Sequence, residues 1–204
     1  MIQTLKNALQ DNPVLKKFIH GLIVHQYQPR LWVKLLWNPF VHKVAWSSVI
    51  RNGSRKDIFP FNKFEVGNKT IIESFATVNN AVGDVVIGEG CVIGIGDTLI
   101  GPVTIEDKVI LAQNIVMSGL NHNYEDVSKP IVDQGVSVAP ILIKSNSWIG
   151  ANSTIVAGVT IGKHCIIGGG SVVTKSIPDY HIAIGNPARL VKKYNFETQQ
   201  WEKI

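Results

Sequence analysis

One histidine stands in a setting that invites chemistry. His122 lies in the polar passage "SGLNHNYEDVSKP", residues 118–130. An imidazole titrates near neutrality and can take a proton from a hydroxyl as that hydroxyl attacks an acyl carbon. Glu125, Asp126 and Asp133 are close enough in sequence to orient such a ring. By residue type alone His122 reads equally as an exposed loop histidine or as a general base. A second grouping is cationic. Lys175, Arg189, Lys192 and Lys193 cluster late in the chain and form either a solvated edge or contacts to phosphates. No zinc set forms around His122: Met117 stands five residues earlier, and no suitable third histidine lies one or two coils away. His20, His25, His42, His164 and His181 carry no expected chemistry.

The elements that must hold these residues follow from a beat of six. From Ile87 every sixth residue is large and apolar: Ile93, Leu99, Ile105, Leu111 and Met117. It resumes at Ile143 with Ile149, Ile155, Ile161, Ile167 and Val173, and a weaker first coil shows at Val66, Ile72 and Val78. Glycine often follows the beat (Gly88, Gly94, Gly150, Gly162, Gly168). A helix repeats near 3.6 residues and a half-buried strand at two, so six fits a short strand plus a corner. Three such units make an 18-residue triangular coil, and stacked coils bury one another's inward residues. Four residues after each beat the side chain is usually small or apolar. Cys91 and Cys165 fall there and read as buried apolar groups in a reducing cytoplasm, not as nucleophiles. Asp97 is the one charged residue at this offset, reaching water at a corner or touching a substrate.

The passage at 118–139 breaks the beat, which predicts a loop leaving the wall while coils above and below keep stacking. The expected organisation is a basic, helical segment over 1–60, a β-helix over 61–185 interrupted by that loop, and a turn and short helix over 186–204. The early helix spans "NPVLKKFIHGLIVHQ": Asn12 caps it, Pro13 suits its first turn, and Val14, Leu15, Phe18, Ile19, Leu22 and Ile23 form one apolar stripe. Packing on the β-helix or a neighbour is favoured over membrane contact.

Composition fits this frame. Apolar residues make up 45% of 204 residues, a globular composition with no run long enough to cross a bilayer and no secretory signal at the N-terminus. The formal charge is +5. Residues 1–60 hold Lys6, Lys16, Lys17, Arg30, Lys34, Lys43, Arg51, Arg55 and Lys56 against Asp11 and Asp57 only. Such an end can meet an anionic membrane, a phosphorylated small molecule or nucleic acid. No aromatic stacking pattern interleaves with the cations, so nucleic acid has only charge behind it.

The stretch "SWIGANSTIVAGVTIGKHCIIGGGSVVTKSIPDYHIAIGNPARLVKK" resembles the closing section of the hexapeptide-repeat acetyltransferases, and "NHNYEDVSKPIVDQG" is most similar to those of bacterial polysaccharide synthesis. The resemblance is close over residues 84–193 and looser over 60–84. It implies an all-β, left-handed parallel β-helix, a homotrimer in the cytoplasm, and acetyl-CoA as donor, with no metal. The acetyl group then passes directly to a hydroxyl, or less often an amine, of a sugar or glycan precursor. Carried over residue by residue, the resemblance makes His122 the catalytic base and Trp148 the aromatic flanking the groove. Ala151 and Gly169 become backbone contacts of the thioester and pantetheine arm, with the Ala151 N–H as oxyanion donor. Thr174 and Lys175 lie by the lower pantetheine and nucleotide, and Arg189 and Lys192 by the phosphates. Asn79, in "FATVN", takes the place of the acceptor-binding asparagine, although the coils between it and His122 exceed the family's spacing. Leu120 stands where polysaccharide-type relatives often carry a second histidine. The competing reading is a non-enzymatic prism that binds anionic glycan or a membrane surface through its basic start.

Overall fold

The computed structural model describes residues 12–204. Lys6 and Asp11, counted in the charge above, lie outside the described residues. Residues 43–173 wind into a parallel β-solenoid of six coils, each laying one short strand on each of three faces. The first face begins with Lys43–Val44, the second with Val49–Ile50 and the third with Arg55–Asp57. The beat residues all point inward: Ile87, Ile93, Leu99, Ile105, Leu111, Met117 and their upper counterparts Ile149, Ile155, Ile161, Ile167 and Val173 are buried in one continuous core. Coils pair in strict register, Val103 with Val85 below and Ile141 above, so that each inward side chain rests on its equivalent in the next coil. Backbone bonds such as Gly88 N–H to Ile105 O, 2.8 Å, tie the corners together.

Three features differ from expectation. The solenoid starts at Lys43, a full coil before residue 61, because the strands at 43–57 pair in register with those at 64–79. Steps between these lower coils run to 22 and 21 residues (Val44 to Val66, Val66 to Ile87) against 18 from Ile87 to Ile105. The extra residues swell the corner between third and first faces. Asn80, fully buried, holds that corner by accepting from Phe59 N–H at 2.6 Å and donating to the carbonyls of Phe59 and Asn62. At the other end no helix forms. Arg189–Asn195 and Gln200–Lys203 are an antiparallel hairpin that extends the second face, with Tyr194 opposite Trp201. Asn195 Oδ1 accepts from Glu197 N–H and Thr198 N–H to make its turn.

At the N-terminal end, helix α1 spans Pro13–Ile23 and is capped as expected, Asn12 Oδ1 accepting from Leu15 N–H at 3.0 Å. Only part of its stripe packs within the chain. Ile19 and Ile23 meet Val33 and Phe59, whereas Val14, Leu15, Phe18 and Leu22 are exposed. A π-turn, Val33–Trp37, and a one-turn helix, Asn38–Val41, lead into the first coil.

Coil stacking leaves no room at several corners. A Cβ on Gly94 would fall on the Ala112 carbonyl oxygen of the coil above, a backbone atom fixed by the ladder. Gly94→Ala should therefore lower stability by about 1–3 kcal/mol or more through forced backbone displacement, read as a drop in thermal midpoint. An unchanged midpoint would contradict the register.

Candidate active site

The loop leaves where the third face turns into the first. Gly119 there has no space for a Cβ because Pro102 of the coil below fills it. The chain then runs out as Leu120–His122, turns, and returns as Val136–Val138, a two-stranded stem with His122 opposite Val136. The stem closes onto the wall through Ala139 N–H to Gly119 O, 2.9 Å. Beyond it the tip is braced from within. Gln134 accepts from Asp126 N–H and donates to the carbonyls of Asp126 and Lys129. Asp126 also pairs with Lys129 at 2.8 Å and binds Ser128, and these partners hold its carboxyl below the usual range.

His122 is exposed at the outer end of this stem, the last residue before the tip. Its imidazole makes no hydrogen bond among the described residues. The three carboxylates considered as its orienter are engaged elsewhere or apart from it: Asp126 with Lys129 and Ser128, Glu125 with Tyr124 N–H, and Asp133 in the short helical turn Ile131–Asp133. Thr174 and Lys175 are also exposed, at the same corner two coils above the loop root. At roughly 4.8 Å per coil, that is about 10 Å along the prism.

The remaining candidates line a different edge. Trp148 lies on the second face between Ile110 and Ile166, half exposed. The column continues through Ile182 to Lys192. Ala151 and Gly169 occupy the corner between second and third faces in successive coils, with Gly170 N–H bonded to Ala151 O at 2.8 Å. A Cβ on Gly169 would stand 3.2 Å from that carbonyl, so the wall is tight here. The Ala151 N–H has no acceptor among the described residues. Arg189 is exposed beside the top of this corner, opposite Ile184. One chain thus gathers Trp148, Ala151, Gly169, Arg189 and Lys192 on one edge of the third face, and His122, Thr174 and Lys175 on the other.

The two candidate substrate contacts are placed differently: Asn79 lies in the column that rises through the loop root to Thr174, whereas Asp97 is enclosed. Asn79 sits on the third face in register with Ile100 and Ser118, two coils below the loop root, and its side chain accepts from Ala81 N–H at 2.8 Å. Asp97 is a correction: it neither reaches water nor faces a substrate. It is fully buried inside the prism, its carboxyl oxygens accepting from Gly94 N–H at 2.7 Å and Ile115 N–H at 2.8 Å. Burial outweighs those two donors and pushes its pKa up to about 7. The thiols of Cys91 and Cys165 are buried and also pushed up by burial, which leaves neither a ready nucleophile. Among the described residues no cluster of three metal-ligating side chains forms. Ser118 stands in the same column two coils above Asn79, with Ile100 between them, and its hydroxyl donates to Leu120 O at 3.2 Å at the loop root.

Comparison with known proteins agrees with this architecture. Residues 84–118 match the family model described as hexapeptide repeat of succinyl-transferase, and residues 140–175 the one described as bacterial transferase hexapeptide (six repeats). The "Probable acetyltransferase Rv3034c" of Mycobacterium tuberculosis is 33% identical over 132 residues, 64% of this chain and 44% of the relative. The galactoside O-acetyltransferase of Escherichia coli K12 is 40% identical over 94 residues, 46% of this chain and 45% of the relative. The chain therefore spans about half the length of the relatives it matches. Among solved structures, a maltose O-acetyltransferase from Clostridium difficile 630 aligns with TM-score 0.50 and 27% identity over 76% of this chain and 71% of that one. The Bacillus cereus N-acyltransferase AntD, in complex with dTDP and 3-hydroxybutyryl-CoA, shares the fold at TM-score 0.65 and 20% identity over 78% and 85%.

The Asp97 environment generates a pH dependence. An ordinary aspartate titrates near 3.8, so between that value and about 7 the folded chain holds a proton that the unfolded chain has lost. Stability attributable to this group is full below the lower value and declines as pH rises toward the upper one. The thermal midpoint of the native protein should fall between pH 5 and 7, and that component of the slope should vanish in Asp97→Asn. Parallel slopes for the two proteins would refute the assignment.

Proposed function

We propose that this chain, a member of the hexapeptide-repeat acetyltransferase family, transfers an acetyl group from acetyl-CoA to a hydroxyl of a sugar or glycan precursor. The observation that carries the reading is the division of the candidate residues between the two edges of one face. A neighbouring copy of the chain, turned about a common axis, brings opposite edges together into one groove. A homotrimer does this three times over. The exposed apolar side chains of the loop, such as Val127 and Val132, suit contact with that neighbour.

Within such a groove each residue has a task that its position permits. His122, exposed on its stem, accepts the proton of the attacking hydroxyl. The Ala151 N–H, which has no acceptor among the described residues, donates to the oxygen on which negative charge grows. Gly169 leaves a flat wall beside it, and Trp148 provides an apolar side. Lys175, Arg189 and Lys192 are cations within reach of a phosphorylated carrier, whose several negative charges they would bind. Acetyl-CoA supplies the activated acyl group. Both reactants held side by side allow direct transfer without an acyl-enzyme. The galactoside and maltose specificities named for two relatives support a sugar hydroxyl as acceptor.

His122→Ala should lower kcat by about 10²–10⁴-fold while acetyl-CoA affinity, measured by calorimetry, stays within a few-fold. The assay is release of free coenzyme A thiol across a panel of sugars and glycan precursors. Native turnover in the variant would end the proposal, and absence of any acetyl-CoA binding by the native chain would favour a non-enzymatic prism. The double variant Arg189→Ala/Lys192→Ala should raise KM for acetyl-CoA about tenfold or more with little change in kcat, an effect that shrinks as salt rises.

A further inference from the structure

The N-terminal end of the prism carries a surface that the transfer reaction does not use. Between Asn12 and Lys56 the sequence contains Lys16, Lys17, Arg30, Lys34, Lys43, Arg51, Arg55 and Lys56 and not one Asp or Glu. Three of these cations meet carboxylates of the solenoid: Lys43 with Glu65, Arg51 with Glu73, and Arg55 with Asp57. Lys17, Arg30, Lys34 and Lys56 find none among the described residues. Interspersed with them are large apolar side chains turned to solvent: Phe18 is 64% exposed, Leu36 69%, Phe40 85% and Trp46 101%. Leu31 and Leu35 are exposed as well. A soluble surface rarely presents so many large apolar groups together, and where it does they mark a contact.

The end of the stack explains why the surface lies here. Val44, Ile50 and Lys56 of the first coil occupy the register that Val66, Ile72 and Val78 fill in the second. With no coil beneath them among the described residues, they open onto a cavity of about 610 Å³, lined also by Lys34, His42 and Phe64. Both ring nitrogens of His42 are buried there without a hydrogen-bond partner. The first coil thus ends in a mixed floor, apolar at Val44, Ile50 and Phe64 and charged at Lys56 and Asp57, beside a buried imidazole without a hydrogen-bond partner.

We propose that this end is a foot that seats the protein on an anionic phospholipid bilayer, its Leu, Phe and Trp side chains entering the headgroup boundary and its cations meeting lipid phosphates. Helices that lie in a membrane interface combine these same ingredients: an apolar face with aromatic and leucine side chains, flanked by Lys and Arg. Each cation near an anionic bilayer adds attraction. No described helix is long and apolar enough to cross a membrane, so the contact is lateral. Charge argues against a second copy as the occupant, because foot-to-foot contact would set against each other two surfaces on which Lys17, Arg30, Lys34 and Lys56 have no carboxylate partner among the described residues. The foot packs through Phe59 onto the corner from which the loop of His122 departs three coils higher. At roughly 4.8 Å per coil the loop root stands about 14 Å above it.

The test is flotation of the full chain with vesicles of pure phosphatidylcholine and of phosphatidylcholine with about one third phosphatidylserine, at low and high salt. Binding to the anionic vesicles alone, weakened by salt, is expected. Lys34→Glu/Lys56→Glu should reduce it about tenfold or more, with the thermal midpoint checked to show a folded protein. Leu35→Ser/Leu36→Ser should reduce it at both salt concentrations. Equal binding to neutral vesicles, or binding to neither, overturns the proposal. So does loss of native molecular mass in the serine variant, which would make this face a contact between copies. None of these readouts depends on acetyl transfer.

Discussion

The structure depends on one repeated contact: an inward aliphatic side chain resting on its equivalent in the coils above and below. Because the strands pair in strict parallel register, a slip of one residue would turn the whole inward set to the outside. The faces are consequently intolerant of insertion, and Gly94, pressed against the Ala112 carbonyl, shows how little slack the ladder leaves. Corners are different. A corner can lengthen without disturbing the faces it joins, as it does modestly at Asn80 and by some twenty residues after Gly119. Chemistry in such a fold is thus confined to what corners and their insertions can present, and all the candidate residues except Trp148, Lys192 and Asn79 lie at corners or just beyond them.

A stack that buries each coil against the next must also stop twice, and this chain stops in two ways. At the top the wall folds over: Ile177 bridges back to Ile161, Ala183 is fully buried, and the hairpin adds a cluster of Tyr180, Tyr194, Phe196 and Trp201. At the bottom the inward positions open to a cavity, and the segment before the first coil keeps much of its apolar surface outside. An end closed by the chain's own residues needs no partner. At the other end the described residues leave apolar surface and cations to solvent, which is why the two ends carry different functional readings.

Much of this was legible in the sequence, and the failures have physical causes. The beat from Ile87 to Val173 identified the prism because its coils keep an 18-residue step. The first coil escaped notice because steps of 22 and 21 residues destroy the six-residue phase, although Val44 and Ile50 still point inward. The C-terminal hairpin passed for a helix because its turn, Phe196–Gln199, carries neither Gly nor Pro; Asn195 shapes it with a side chain instead. The better signal was the aromatic pair that brackets the turn, Tyr194 and Trp201, which stand opposite each other across the hairpin. Asp97 misled because charge at an inward offset reads as an escape to water. The corner instead offers two N–H donors, and a carboxyl that satisfies both can remain inside as an acid with a raised pKa.

The candidate site was legible as residues and not as a place. The resemblance selects His122, Ala151, Gly169 and Lys175 one at a time, whereas the register sets Ala151 and Gly169 at one edge of the third face and the loop of His122, with Lys175, at the other. The same geometry gives the division a purpose. On the proposed reading, a base mounted on one copy and an oxyanion donor mounted on another would meet only in the assembly, and neither would find its partner in the isolated chain. Activity in such a design is a property of the interface. The pressure that keeps the coils in register is then also what keeps the two halves of the site at matching heights along the prism.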